Sequence, residues 1–211
     1  MNKSKAISIA HTLSKASKMP GDSYSLPATA CKTGSKLRLK ENSVCSKCYA
    51  RKGNYGFPSV QAAMEKRRLA IKHPDWVDAM VTLIGNQRHF RWHDSGDIQN
   101  VTHLRKIIAV AKATPKTMHW LPSKEAALVA KTARDTILPD NLIIRVSLPM
   151  INSQPLKLTY SPQVKTCRSV TPEFDVGPDC TICPAPQQDN QCADCRLCWD
   201  TNVEDIAYLM H

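Results

Sequence analysis

The chain has 211 residues, 42% of them apolar, and a formal net charge of +11. That length supports one sizeable hydrophobic core. No apolar run approaches the roughly 18–20 residues that a membrane span requires, so a membrane-spanning protein is not expected.

The basic start, Met1 to Ala10, has an apolar part too short for a signal peptide. The expected setting is therefore the cytoplasm, where thiols stay reduced and grouped cysteines mean metal more often than disulfide. There are nine cysteines, and an odd number leaves one over in any pure disulfide framework. Charge is unevenly spread. Residues 1–60 carry eleven Lys/Arg against two acids and residues 61–169 seventeen against eight, whereas residues 170–211 carry Arg196 alone against eight acids. A basic body attracts nucleic acid or anionic metabolites; the same charge also suits a merely solvated surface.

Three parts are predicted: a basic N-terminal segment (1–18), an α/β body with an N-terminal cysteine loop (19–170), and a Cys-rich extension with a final helix (171–211). Residues 20–58 carry Pro, Gly and Ser at short intervals and read as an ordered loop region rather than a helix. Helical periodicity follows over Ser59–Lys72, and again from Pro74-Asp75 through Ile84. His89–His93 reads as a strand, and Asn100 as the cap of a helix reaching Ala113. Thr117–Leu121 is a strand, Ser123–Arg134 a helix, Leu142–Leu148 an apolar strand and Val164–Val170 another. This alternation predicts a parallel sheet, either an open α/β sheet or an incomplete barrel, with functional groups at the C-terminal strand ends. The closing helix is placed after Asn202, with Glu204 and Asp205 in its first turn and Ile206 and Leu209 packing on the body.

Three constellations carry chemistry. Cys183, Cys192, Cys195 and Cys198 supply four thiolates over sixteen positions, the last three spaced C-x2-C-x2-C. Such gaps let sulfurs converge on one centre, here a [4Fe–4S] cluster. A zinc ribbon built from Cys180, Cys183, Cys192 and Cys195 is the competing choice. Either site is saturated, suited to holding structure or passing electrons. Cys31, Cys45 and Cys48 form a three-thiolate set, which on a four-iron cluster leaves one iron open; a redox dithiol or a zinc site completed by histidine uses the same residues. The strand-end turn His93-Asp94-Ser95-Gly96-Asp97 offers a histidine and two carboxylates where a parallel sheet gathers its ligands. Asp and Ser also favour such turns for structural reasons. Lys124, after the next strand, is positioned to face the same mouth. Ser147 and the four tryptophans read as structural.

These residues, with Met19-Pro20-Gly21, the stretch Cys31 to Leu37, the stretch Ser43 to Ala50, Phe90 to Asp97, and Cys183-Pro184-Ala185 through Cys198-Trp199, resemble the phage gene-product-88-like family over roughly Lys18 to Asp200. That resemblance implies a phage origin and a host-cytoplasm setting but names no reaction. The chain is more distantly similar to radical S-adenosylmethionine enzymes. This likeness implies a partial parallel (β/α) barrel with a Cys-rich metal-binding extension. It implies a cluster on Cys31, Cys45 and Cys48, the cofactor's amino group at Ser95-Gly96-Asp97, and an auxiliary cluster on the C-terminal cysteines. Thirteen residues separate Cys31 from Cys45, where the usual loop has three. Lys47 stands where an aromatic normally meets the adenine, and Tyr49 follows instead.

The expected function is an iron–sulfur enzyme of the radical S-adenosylmethionine type, with one or two [4Fe–4S] clusters. Its substrate is an unidentified small molecule or nucleic acid, and a reductant protein is its partner. His93, Asp94 and Lys124 would handle protons or substrate; Tyr49, Ser95, Gly96 and Asp97 would meet the cofactor. The rival expectation is a zinc- or cluster-stapled nucleic-acid-binding or regulatory protein without catalysis.

Overall fold

Alternating strands and helices build one sheet. The structure, a computed structural model, describes residues 1–210. Its strands are β1 (Ser14–Lys15), β2 (Asp22–Tyr24), β3 (His89–Trp92), β4 (Met118–Ser123), β5 (Leu142–Ser147), β6 (Val164–Val170), β7 (Thr181–Ile182) and β8 (Asp205–Leu209). The helices are α1 (Lys3–Ala10), α2 (Lys32–Leu37), α3 (Pro58–Ala70), α4 (Trp76–Ile84), α5 (Val101–Ala113) and α6 (Ala126–Asp135). The sheet order is β1-β2-β3-β4-β5-β6-β8-β7. Every pairing is parallel except β1 with β2. The sheet is open, with β1 and β7 as its edges. From β2 to β6 each new strand adds on the same side of the last, so the chain winds in one sense.

Both faces are covered, as parallel sheets require, and the pleat sorts side chains between them. On β4 and β5, Leu121, Leu142, Ile144 and Val146 join the core under the helices, while Trp120 and Ile143 join a second core on the opposite face. The helical layer runs in sequence, α1 against α4, α4 against α5 and α5 against α6. Asn100 caps α5, its side-chain oxygen accepting from the His103 amide at 2.8 Å. The second core is completed by the C-terminal extension, which contributes Cys198, Trp199 and Ile206.

Four expectations are corrected. The predicted final helix is strand β8, which pairs with β6 along its length. Asn202 does not cap a helix there: its main-chain and side-chain nitrogens donate to Asp200 in a local turn, at 2.8 and 3.1 Å, a competing bond that short polar residues make readily. Asp205 instead accepts from Arg168 (2.7 Å) and Thr166 (2.6 Å) of β6, which holds the segment extended. The loop region 20–58 contains β2, the six-residue α2 and short 3-10 turns. The basic N-terminal segment is part of the body, since Ala6 and Ala10 of α1 are fully buried in the helix-side core. Finally, α6 starts at Ala126, because Ser123 belongs to β4.

Candidate metal centre

After β2 the chain crosses the C-terminal ends of the sheet carrying the three N-terminal cysteines. Cys31 precedes α2, and Gly34 lies one turn later. A Cβ on Gly34 would sit 3.1 Å from Cys31 Cβ, 3.5 Å from Cys45 Sγ and 3.8 Å from Cys31 Sγ. The two sulfurs therefore border the same space beside Gly34, where an added Cβ would press most closely on Cys31 Cβ. Glu125, beyond β4, pins α2: its carboxylate accepts from the Thr33 amide (2.8 Å) and hydroxyl (2.9 Å). The second half of the loop is tied beyond β5, where the Val44 amide donates to the Pro149 carbonyl and the Ile151 amide to the Asn42 carbonyl, both at 2.9 Å. Ser43, fully buried, donates to the Leu37 carbonyl at 2.6 Å.

Electrostatics show which groups share this space. Burial pushes the Cys31 thiol up, and negative charge at Asp97, Cys48, Cys45 and Glu125 pushes it further. Burial also raises Cys45; Lys124 opposes this, while Cys48 and Asp97 add to it. Cys31 and Cys45, raised in this way with Cys48 beside them, are a donor set that a cation would convert to thiolates.

The predicted turn divides into separate jobs. His93 has φ +56° and is buried, with its ring 5.2 Å from that of His103. Its Nδ1 lies 3.1 Å from the Tyr24 carbonyl, Nε2 has no partner, and burial drives its pKa down to about 4. It faces the core rather than the cysteines, which corrects its expected catalytic place. Asp94 is a hub: its carboxylate accepts from Ser23 at 2.6 Å, Tyr55 at 2.9 Å and Ser25, and its carbonyl accepts from Tyr49. Burial opposes its ionisation, but the Ser23 and Ser25 hydroxyls and Arg91 outweigh this and hold its pKa below the usual value. Gly96 has φ +84°, and a Cβ there would meet the Leu26 carbonyl at 2.7 Å, so backbone approach demands glycine. Ser95 closes the same contact, donating to that carbonyl at 2.9 Å.

Asp97 accepts three hydrogen bonds, from Ser123 Oγ (2.6 Å), the Ile98 amide (2.7 Å) and the Lys124 amide (2.8 Å). Burial raises it to about 6 despite these donors. It ties the β3 turn to the β4 end. Lys124 does reach the mouth. Its Nζ donates to Ser147 Oγ (2.5 Å) and the Leu148 carbonyl (2.8 Å). Burial lowers its pKa, against the charges of Cys167, Cys45, Asp97 and Cys48. Tyr49, beside Cys48, keeps its ring half exposed and edge-on to Tyr55 at 5.8 Å.

The C-terminal cysteines lie on the second core. Burial raises Cys192, with Cys183 and Cys195 adding to it; Cys183 is raised by burial and by Cys195, and Cys198 by burial to about 12, with a contribution from Cys183. Cys183, Cys192, Cys195 and Cys198 thus form one neighbourhood. Cys180 stands apart, next to Arg168 and Asp205, so the ribbon pairing through Cys180 is not what the fold brings together. Among the described residues, no group of three or more His, Cys, Asp or Glu side chains is drawn together as a single metal ion needs. Two shallow cavities of about 450 and 390 Å3, lined by residues such as Asp140, Gln163 and Glu204 or Arg134 and Tyr160, include no cysteine.

This chain matches the family model described as gene product 88 over residues 2–201. It belongs to the gene product 88 family. No curated protein and no solved structure matches it. Sequence reasoning missed three residues that organise the site in this gene product 88 member. Glu125 was hidden inside an assumed helix. Arg91 was read only as part of an aromatic strand. Arg145, fully buried, donates to the carbonyls of Leu197, Asp200 and Val203 at 2.9 Å, Cys198 at 3.2 Å and Thr166 at 3.3 Å. A lone arginine in an apolar strand is a signal that could have found it. No helix among the described residues is long and apolar enough to cross a membrane.

Proposed function

We propose that this gene product 88 protein is an iron–sulfur enzyme of the radical S-adenosylmethionine type. Cys31, Cys45 and Cys48 would hold a [4Fe–4S] cluster with one open iron, and Cys183, Cys192, Cys195 and Cys198 a second, saturated one. One observation carries the reading. The three-thiol loop follows the first parallel strand, β2, and is pinned over the glycine-containing turn that follows the second, β3. Held by Cys31, Cys45 and Cys48, such a cluster would supply one-electron reduction of S-adenosylmethionine, drawing the electron from an external reductant protein.

The chain's own residues have definable work. Lys124 favours the thiolate form of Cys45. Asp97 and Gly96 hold the turn against the β4 end and the segment after β2, which fixes the backbone it would offer a ligand. Tyr49 presents an aromatic face beside Cys48, suited to stacking on a flat ring. A partial barrel is favoured by the one-sense winding and by the reach of Arg91 toward Tyr208 and Cys198. In a flat sheet β3 and β8 would lie four strand spacings apart, about 19 Å.

Anaerobic reconstitution followed by an assay for reductive cleavage tests this. Cluster-loaded protein should yield 5′-deoxyadenosine with dithionite, and Cys48→Ala should abolish it. Loaded protein that yields none overturns the enzymatic reading. A colourless zinc protein whose nucleic-acid binding falls steeply with salt would put the rival in its place.

A further inference from the structure

The segment from Cys31 to Gly53 carries seven Lys or Arg against one acid, Glu41, and all seven cations are exposed. Among the described residues none of the seven pairs with a carboxylate. The fold gathers these charges around the N-terminal thiols. Cys31, Cys45 and Cys48 share one neighbourhood, with Lys32 directly after the first and Lys47 between the other two. Tight turns close the backbone between them. The Leu39 amide donates to the Lys36 carbonyl and the Ser43 amide to the Lys40 carbonyl, both at 3.2 Å, and the Arg51 amide to the Cys48 carbonyl at 3.3 Å. The loop turns Ser43 and Ala50 inward and is tied to the body through Asn42 and Val44, so its cations share the outward side. Apolar side chains share it too. Of the eight large hydrophobic residues left exposed among the described residues, Leu39, Tyr49 and Phe57 fall within positions 39–57. Phe57 is 56% exposed and stands at the start of α3, across the 3-10 turn Gly53–Gly56 from Lys52, about 10 Å along the chain.

Crowding like charges destabilises a compact fold, and an apolar ring gains nothing from water. A single-stranded nucleic acid complements both, with phosphates for the cations and a base for the ring. A duplex hides its base faces. An anionic membrane takes up apolar residues carried on an amphipathic helix, whereas Leu39 and Phe57 lie on turns and bends. We propose that the loop from Lys32 to Phe57 is a binding surface for a single-stranded nucleic acid, whose phosphates meet its lysines and arginines and one of whose bases stacks on Phe57. Residues 170–211, with Arg196 alone against eight acids, repel a polyanion and steer it to the N-terminal cysteines. Since the surface surrounds Cys31, Cys45 and Cys48, a nucleotide in such a strand is the substrate of the site proposed above. That last step rests on the enzymatic reading; the binding does not.

The test is fluorescence anisotropy of labelled oligothymidine and oligouridine with the anaerobically purified full chain, over a series of salt concentrations. At least one strand should bind, the tighter one telling DNA from RNA, and the logarithm of its affinity should fall linearly with the logarithm of salt. Arg51→Gln combined with Lys52→Gln should weaken binding about tenfold and reduce the salt slope by about 1.4, since each lost phosphate contact removes about 0.7. Phe57→Ala should weaken it about tenfold and leave the slope alone, because stacking carries no charge. Lys112→Gln combined with Lys116→Gln removes the same charge where α5 leads into the start of β4, at the opposite end of the sheet; it should bind as the parent does. Strands that do not bind, or a salt slope unchanged by the paired substitution at Arg51 and Lys52, overturn the proposal. So does a duplex that binds as tightly as the strand, or phosphatidylserine vesicles retained where the oligonucleotides are not. Strand binding by iron-loaded protein that yields no 5′-deoxyadenosine sinks the enzymatic reading alone; 5′-deoxyadenosine formed without strand binding sinks this inference alone.

Discussion

Gly96 and Arg145 show how single residues set this site. At Gly96 a methyl group would need φ +84° and would lie 2.5 Å from Leu26 Cβ. Gly96→Ala is expected to destabilise by about 2 kcal/mol or more through strain and displacement of the turn, read as a lowered Tm. Arg145→Met removes the donor for five carbonyls. With hydrogen bonds to charged groups worth about 1.5–3 kcal/mol each and not additive, a loss of at least about 3 kcal/mol is expected. Proteolysis should then become easier at 197–203, where four of those carbonyls lie. The sequence showed Gly96 as a turn residue because His-Asp-Ser-Gly-Asp has no helix or strand period. It could not show that Asp97 is consumed by Ser123, Ile98 and Lys124, because those partners come from two separate segments. His93 misled for a related reason: a histidine at a strand end looks functional until the left-handed backbone turns its ring into the core.

Among elements, those with a clear period were legible. Helices α3, α4 and α5 and strands β3, β5 and β6 lie where apolar spacing put them, within a few residues. The short ones were not. β2 is the three polar-to-aromatic residues Asp22–Tyr24, and β8 carries helix-like capping residues that the Arg168–Asp205 pair overrides. Long-range pairing decided both, and no local window contains it. The six-residue α2 is likewise too short to hold alone and depends on Glu125. Glu125→Ala is therefore expected to lower iron retained on Cys31, Cys45 and Cys48 while far-UV circular dichroism stays unchanged. Iron held as in the parent would mean that α2 needs no such anchor.

At the level of the whole molecule, buried imidazoles set the acid limit. Burial lowers His93 to about 4, His119 to about 3 and His103 well below its usual value. The unfolded chain binds these protons from about pH 6.5 downward, whereas the folded chain resists them, so stability is lost as pH falls from 6.5 toward 4. Each such imidazole costs about 1.4 kcal/mol per pH step in that window. Asp97, raised to about 6, works the opposite way between about 4 and 6 and offsets one of the three. Tm should fall over that range, and His119→Gln should flatten the slope by close to one proton; an unchanged slope would mean His119 is already charged when folded. Fold class and the division of cysteines into two groups were readable from spacing alone, because C-x2-C runs are local. That Cys180 belongs to neither follows from the pairing of β6, β7 and β8, which sets it next to Arg168 and Asp205. The most direct test of the account is the iron and sulfide content of anaerobically purified protein, repeated for Cys48→Ala and Cys195→Ala. Two separable complements of about four irons each, one lost in each variant, are predicted. Iron absent from the parent, or zinc in its place, would contradict it.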